Sequence, residues 1–234
     1  MTIAYFLTFH DKAKPDLALS DAETKRVHDI VASTPRLMRG LVLTPWDVKG
    51  LFFDDGHPPQ LAFELYFDNI ADLEAALAPK GHLHVLAEPA TLPSLKDATV
   101  TQQAMLARAF PVPDAKFRTA EGKPFCSYMV HYPGQAEDLN AWLAYYIEHH
   151  PVVMARFPGI REIEISTRID WCGFLPWPRV DYMQRNKVVF DDGPSLQAAM
   201  QSPVMQEMRA DFHKFPPFTG GNVHFPMATV EFRP

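Results

Sequence analysis

The chain has 234 residues, which at about 150 residues per domain makes one large domain or two small ones and excludes a single small module. Its 28 acidic and 22 basic side chains leave a net charge of -6, and the Lys and Arg residues are scattered, so no basic cluster is present to neutralise nucleic-acid phosphates. At 47% hydrophobic and 21% charged the composition excludes a disordered chain, and no apolar run reaches the roughly 18 residues that a membrane span needs.

The opening stretch from Met1 to His10 is apolar, but it has no basic front and no small-residue cleavage site, so it reads as a first strand over 3–9. Periodicity then predicts a helix over 21–33, strands over 40–46 and 61–67, a helix over 69–78 and a strand over 97–107. Pro111, Pro113 and Pro124 stiffen the stretch that follows, which separates a first unit, 1–110, from a second, 125–234, by a linker over 111–124. The second unit predicts a strand over 125–132, a helix over 136–149, strands over 160–169 and 182–190, a helix over 194–212 broken at Pro203, and a last strand over 222–232. Cys126 and Cys172 have neither disulfide-framework nor zinc-site spacing, and two free thiols point to the cytoplasm.

The two units repeat one another. Phe67-Asp68 is followed by Leu73, Ala75-Ala76 and Pro79, and Phe190-Asp191 by Leu196, Ala198-Ala199 and Pro203. Each unit reads strand, helix, strand, strand, helix, strand, the order of the split βαβ or ferredoxin-like fold. Such a unit covers only one sheet face with helices, so two copies are expected to close on each other as an α+β pseudo-dimeric α/β barrel.

In the second unit, Tyr146-Ile-Glu-His149-His150-Pro151-Val152-Val153, followed by Phe157-Pro158-Gly159-Ile160-Arg161, resembles the helix-end motif of the EthD-like branch of the dimeric α/β-barrel superfamily. The first unit has Asp29-Ile30-Val31-Ala32 at that place and resembles the family only in topology. The resemblance implies a site in the second unit and the chemistry found among such proteins: cofactor-independent lyases, cyclases, isomerases, decarboxylases and monooxygenases of aromatic or polyketide-like compounds.

Candidate residues follow from spacing. Leu139, Trp142, Leu143, Tyr146 and His150 share one helix face, so His150 points toward the sheet, and Pro151 is expected to end the helix at about His149. His150 is either a core histidine or a proton-transfer group. Strand 125–132 carries Tyr128 on one side and His131 on the other, and Tyr182 opens strand 182–190; each is a packing residue or a catalytic partner of His150. Over 160–170, Glu162, Glu164, Ser166, Arg168 and Asp170 lie on the side opposite Ile163, Ile165 and Ile169. They form a solvated or interface-pairing face, or line the barrel interior, where Arg168 beside Asp170 would fix an anionic or phenolic substrate. Tyr146, Trp177 and His224 complete the expected substrate contacts. His213 and His224 read as surface loop or pocket rim, and His82 and His84, two apart, as a strand pair able to hold a metal.

The aromatic stretch from Trp171 to Trp177 reads as cover for a pocket mouth or as the contact of a homodimer. Phosphate-loop, dinucleotide, HExxH and Gly-x-Ser-x-Gly motifs are missing. The expected function is a cofactor-free lyase or isomerase acting on an aromatic or hydrophobic small molecule, with no metal. A heme-binding tandem barrel and a non-catalytic small-molecule-binding or stress protein are the alternatives.

Overall fold

The computed structural model describes residues 2–48, 55–120 and 122–234; Glu121, within the expected linker, lies outside them. Eight antiparallel strands close a barrel: β1 (Thr2–His10), β2 (Arg39–Pro45), β3 (Leu61–Phe67), β4 (Thr99–Phe110), β5 (Phe125–Tyr132), β6 (Ile160–Arg168), β7 (Gln184–Phe190) and β8 (Val223–Phe232). Their order around the barrel is β1-β3-β2-β8-β5-β7-β6-β4. The first half is thus ordered β4-β1-β3-β2 and the second β8-β5-β7-β6, and the halves join where β2 pairs with β8 and β4 with β6. Closure leaves no strand edge unpaired.

Helices lie outside the barrel: α1 (Asp21–Ala32) and α2 (Ile70–Leu77) on the first half, α3 (Leu139–Met154), α4 (Gly193–Met200) and α5 (Val204–Phe212) on the second. Their starts are written locally. Ser20 and Glu23 form a capping box, and Asn69, Asp138 and Asp192 each accept a backbone N–H at a helix start. Strand alternation sends Tyr5, Leu7, Phe63 and Leu65 outward under α1 and α2, and Cys126, Tyr128, Val130 and Tyr132 outward under α3 to α5. Ala4, Phe6, Leu41, Leu43, Met105 and Met129 fill the interior. Where α1 crosses β2, a Cβ on Gly40 would stand 2.4 Å from Val31 Cγ1, and Gly159, at φ +76°, makes the turn into β6.

The structure corrects several expectations. Helix α3 runs through Pro151 to Met154, because His150, Pro151 and Met154 are all buried and packing holds the last turn on despite the missing N–H. The polar face of β6 is neither solvated nor a substrate wall: Glu162 and Glu164 point into the barrel. There Lys187 Nζ lies 2.9 Å from Glu64, 3.4 Å from Glu162 and 3.6 Å from Glu164. Arg39 grips Glu162 with two hydrogen bonds of 2.9 and 2.8 Å and reaches Glu231 at 3.0 Å. Arg168, at the end of β6, pairs instead with Asp181, and Asp170 is exposed, so these two do not form an anion clamp.

The Trp171–Trp177 stretch also folds inward. Trp171 packs edge-on against Tyr5 at 5.7 Å and Trp177 against Phe9 at 5.2 Å, while Gln102 Nε2 donates to Trp177 O at 2.6 Å. Trp171 and Trp177 of this second-half connection thereby fill space beneath the helices of the first half, while Phe174 between them stays 61% exposed. The reverse also holds: Trp46 and Val48, in the β2–β3 connection, pack on the core of the second half.

Candidate functional site

A cavity of about 430 Å³ lies between the outer face of β5 and β7 and helices α3, α4 and α5, within the size range of small-molecule sites. Most of its wall is apolar and adaptable: Met154, Met200, Met205 and Met208 with Phe157, Phe212 and Val188. Four elements supply its main polar groups, and the α5 end adds two more.

The first is His150. One face of α3 points at the sheet, with Trp142, Tyr146 and His150 buried in sequence, and Tyr146 lies against the His150 ring at 4.7 Å. Asp211 of α5 approaches from the other side, its Oδ2 2.6 Å from His150 Nδ1, and Tyr145 donates to its Oδ1 at 3.0 Å. Burial lowers the His150 pKa, and the Asp211 contact opposes this only in part, so the ring is neutral at neutral pH. Burial would raise the Asp211 carboxyl, but the hydrogen bonds from His150 and Tyr145 outweigh it and hold the carboxyl below its usual range. A neutral imidazole beside a carboxylate carries its proton on Nδ1, which leaves Nε2 with a lone pair. Among the described residues Nε2 has no hydrogen-bond partner.

Tyr128 of β5 is the second group. Its hydroxyl is buried without a partner, and burial together with the charge of Asp55 pushes its pKa up, so it stays protonated. His224 of β8 stacks on the Tyr128 ring at 5.5 Å, with Nδ1 2.7 Å from Asp55 Oδ2 and Asn222 at 3.3 Å from Nε2. Burial lowers its pKa against the opposing effect of Asp55. The fourth element, β7, supplies Asn186, whose Nδ2 donates to Tyr146 at 2.6 Å. His213 and Arg209 of the α5 end also line the wall.

Of the expected residues, the structure brings His150, Tyr128, Tyr146 and His224 to this one place. Besides Arg168 and Asp170, three others lie elsewhere. His131 faces the barrel interior, where its ring meets Tyr182 at 5.6 Å and Arg185 at 3.4 Å, and burial followed by the Arg185 charge lowers its pKa far below the usual value. Both are therefore separated from His150 by the sheet itself. Trp177 is on the first half. His82 and His84 sit on a short 3₁₀ turn, not a strand, and bond the backbone carbonyls of Ile30 at 2.9 Å and Leu77 at 3.2 Å. Among the described residues no cluster of three His, Cys, Asp or Glu could hold a metal ion.

Sequence reasoning missed Asp211, Asp55, Asn186 and the methionine wall. Asp211 had a signal, since it stands three residues after Met208 on the apolar face of α5, where a carboxylate needs a buried partner.

No family model and no curated relative matches the chain. Solved structures do. A candidate monooxygenase from Fusobacterium nucleatum superimposes with a TM-score of 0.62 at 8% identity, over 99% of this chain and 94% of that one. An anthrone oxidase-like protein gives 0.60 at 14% identity over 98% and 91%, and chlorite dismutase from Candidatus Nitrospira defluvii 0.50 at 10% over 97% and 91%. At these identities the likeness is one of fold alone: an α+β closed antiparallel barrel. Among the described residues no helix is long and apolar enough to cross a membrane.

Proposed function

We propose that the second-half cavity is the active site of an acid/base enzyme, a lyase or isomerase that needs no cofactor and acts on an aromatic or otherwise hydrophobic small molecule. One observation carries this reading: a buried imidazole, tethered through Nδ1 to a carboxylate, beside an apolar cavity. His150 Nε2 takes a proton from the bound substrate, and Asp211 fixes the tautomer and stabilises the imidazolium that forms. Tyr128, protonated and unpaired, donates a hydrogen bond to the enolate or phenolate oxygen on which charge develops. Reprotonation elsewhere on the carbanion completes an isomerisation, and departure of a leaving group completes a cleavage. In the same reading the two halves are copies of one ferredoxin-like unit, and the second resembles the EthD-like branch through its Tyr146 to Arg161 motif. The first copy has given up the site, since Val31 stands where His150 does.

The test is turnover of a panel of aromatic carbonyl and phenolic compounds by the purified protein. His150→Ala should lower turnover at least about a hundredfold with the fold retained, and His28→Ala should do far less. Near-normal turnover by His150→Ala defeats the reading, and ligand binding without turnover of any compound assigns a binding protein instead.

A second reading, a heme pocket, is favoured by the same pair, because a carboxylate on Nδ1 strengthens an imidazole as an iron ligand through Nε2. Absorbance separates the two. A Soret band that appears on titration with hemin and is lost in His150→Ala supports heme, whereas no such band supports the acid/base enzyme.

A further inference from the structure

Two halves with one strand order allow each buried position of the second to be compared with the same register position of the first. Phe67 pairs with Ile3 and Phe190 with Cys126, so counting back along β3 and β7 sets Phe63, opposite Leu7, against Asn186, opposite Val130. Two pairs further, Phe9 and Leu61 stand where the second half has Tyr132 and Gln184. Apolar side chains at these places pack a complete core in the first half. The fold therefore does not call for polarity there, yet the second half buries two amides, Asn186 and Gln184, and the Tyr132 phenol.

The Asn186 amide is held in one sense. Its Nδ2 donates to Tyr146 at 2.6 Å, and Tyr146 continues the chain to Tyr132, to which Asn222 also bonds. This leaves Oδ1 buried without a partner, in a residue 3% exposed that lines the cavity. An orphan acceptor of this kind destabilises the fold unless something donates to it. The unpaired Tyr128 hydroxyl belongs to the same face, two residue pairs along the β5–β7 ladder. Diagonal neighbours of this kind stand about 7–8 Å apart on a sheet face, within the span of one small ligand, and both residues line the cavity.

We propose that Asn186 is the specificity-determining residue of this cavity and selects ligands that carry a free hydroxyl, phenolic or enolic, over their ethers and ketones. The hydroxyl donates to Asn186 Oδ1 and accepts from Tyr128, so one oxygen satisfies both orphan groups. An ether oxygen accepts from Tyr128 but leaves Asn186 unpaired. The inference rests on the cavity being the ligand site.

The experiment compares 2-naphthol with 2-methoxynaphthalene, measuring dissociation constants by calorimetry on the wild-type chain and on Asn186→Leu. Wild type should bind the naphthol about tenfold more tightly, the worth of one buried hydrogen bond. Asn186→Leu should lose that preference by weakening the naphthol alone, and should melt no lower than wild type, since the first half tolerates Phe63 at the same position. A wild type that binds the two equally, or prefers the ether, overturns the inference while leaving the cavity as the site. A preference that survives Asn186→Leu also overturns it. Binding of neither compound to wild type overturns the site reading and the inference with it.

Discussion

The His150–Asp211 pair sets the pH behaviour of the proposed reaction. Burial draws the His150 pKa below 6.5 and the Asp211 carboxylate offsets only part of the shift, so the imidazole is already neutral, and able to act as a base, at pH 6.5. The acid limb of kcat/KM should therefore lie below pH 6.5. Asp211→Asn removes the charge that opposes desolvation, so the limb should move lower still. It also frees the ring to adopt the wrong tautomer, so the plateau should fall by about a hundredfold or more. A pH–rate profile of the variant with limb and plateau both unchanged would reduce Asp211 to a packing residue. His131, which spacing alone makes as good a candidate as His150, should give no such profile, because it faces Arg185 on the other side of the sheet.

At the scale of elements, what could be read from the sequence divides along a physical line. Strand and helix positions come from local periodicity, and the caps at Ser20, Asn69, Asp138 and Asp192 are local too, so element order and the duplicated topology were legible. Alternation also separated Tyr128 from His131 correctly, since a strand cannot send neighbours of opposite parity to one site. It could not say which parity faces inward, and for that reason the side of β6 that carries Glu162 and Glu164 read equally as a solvated face or as the barrel interior. Connections that cross between halves were beyond reach, because nothing in the 171–180 stretch encodes that its ring partners are Tyr5 and Phe9. Asp55 meets His224 by the reverse crossing. Trp177 tests this assignment. Trp177→Ala should lower stability by about 2 kcal/mol in urea unfolding by removing the Phe9 contact. It should leave KM unchanged, whereas a raised KM at unchanged stability would return Trp177 to the substrate site.

At the scale of the whole molecule, the barrel is pinned by a buried cluster of charged and hydrogen-bonding groups that both halves contribute. Arg39, Glu64 and Tyr66 come from the first, and Glu162, Glu164, Lys187 and Glu231 from the second. Burial would raise the Glu162 carboxyl, but Lys187 and Arg39 prevail and hold it at about 2, and Lys187 also keeps Glu64 low. Glu164 is the exception: burial and the neighbouring carboxylates push it far up, so it keeps its proton and hydrogen-bonds Glu64. Depressed carboxylates contribute stability that is full above their unfolded value of 4.5 and is lost as pH falls toward 2. Buried His131, His150 and His224, all lowered, add stability that is full above 6.5 and declines below it. Wild-type stability should thus begin to fall on acidification near pH 6.5. Lys187→Met, by contrast, leaves Glu64 and Glu162 buried with less compensation and should cost about 3–5 kcal/mol at pH 7. In that variant the same carboxyls have raised pKa values, so the folded state takes up protons as pH drops and regains stability on the way to 4.5. The gap between wild type and Lys187→Met, followed by denaturant unfolding, should accordingly narrow from pH 7 to pH 4.5. A gap that stays constant across that range would mean that Lys187 supports the barrel by packing and not by its charge.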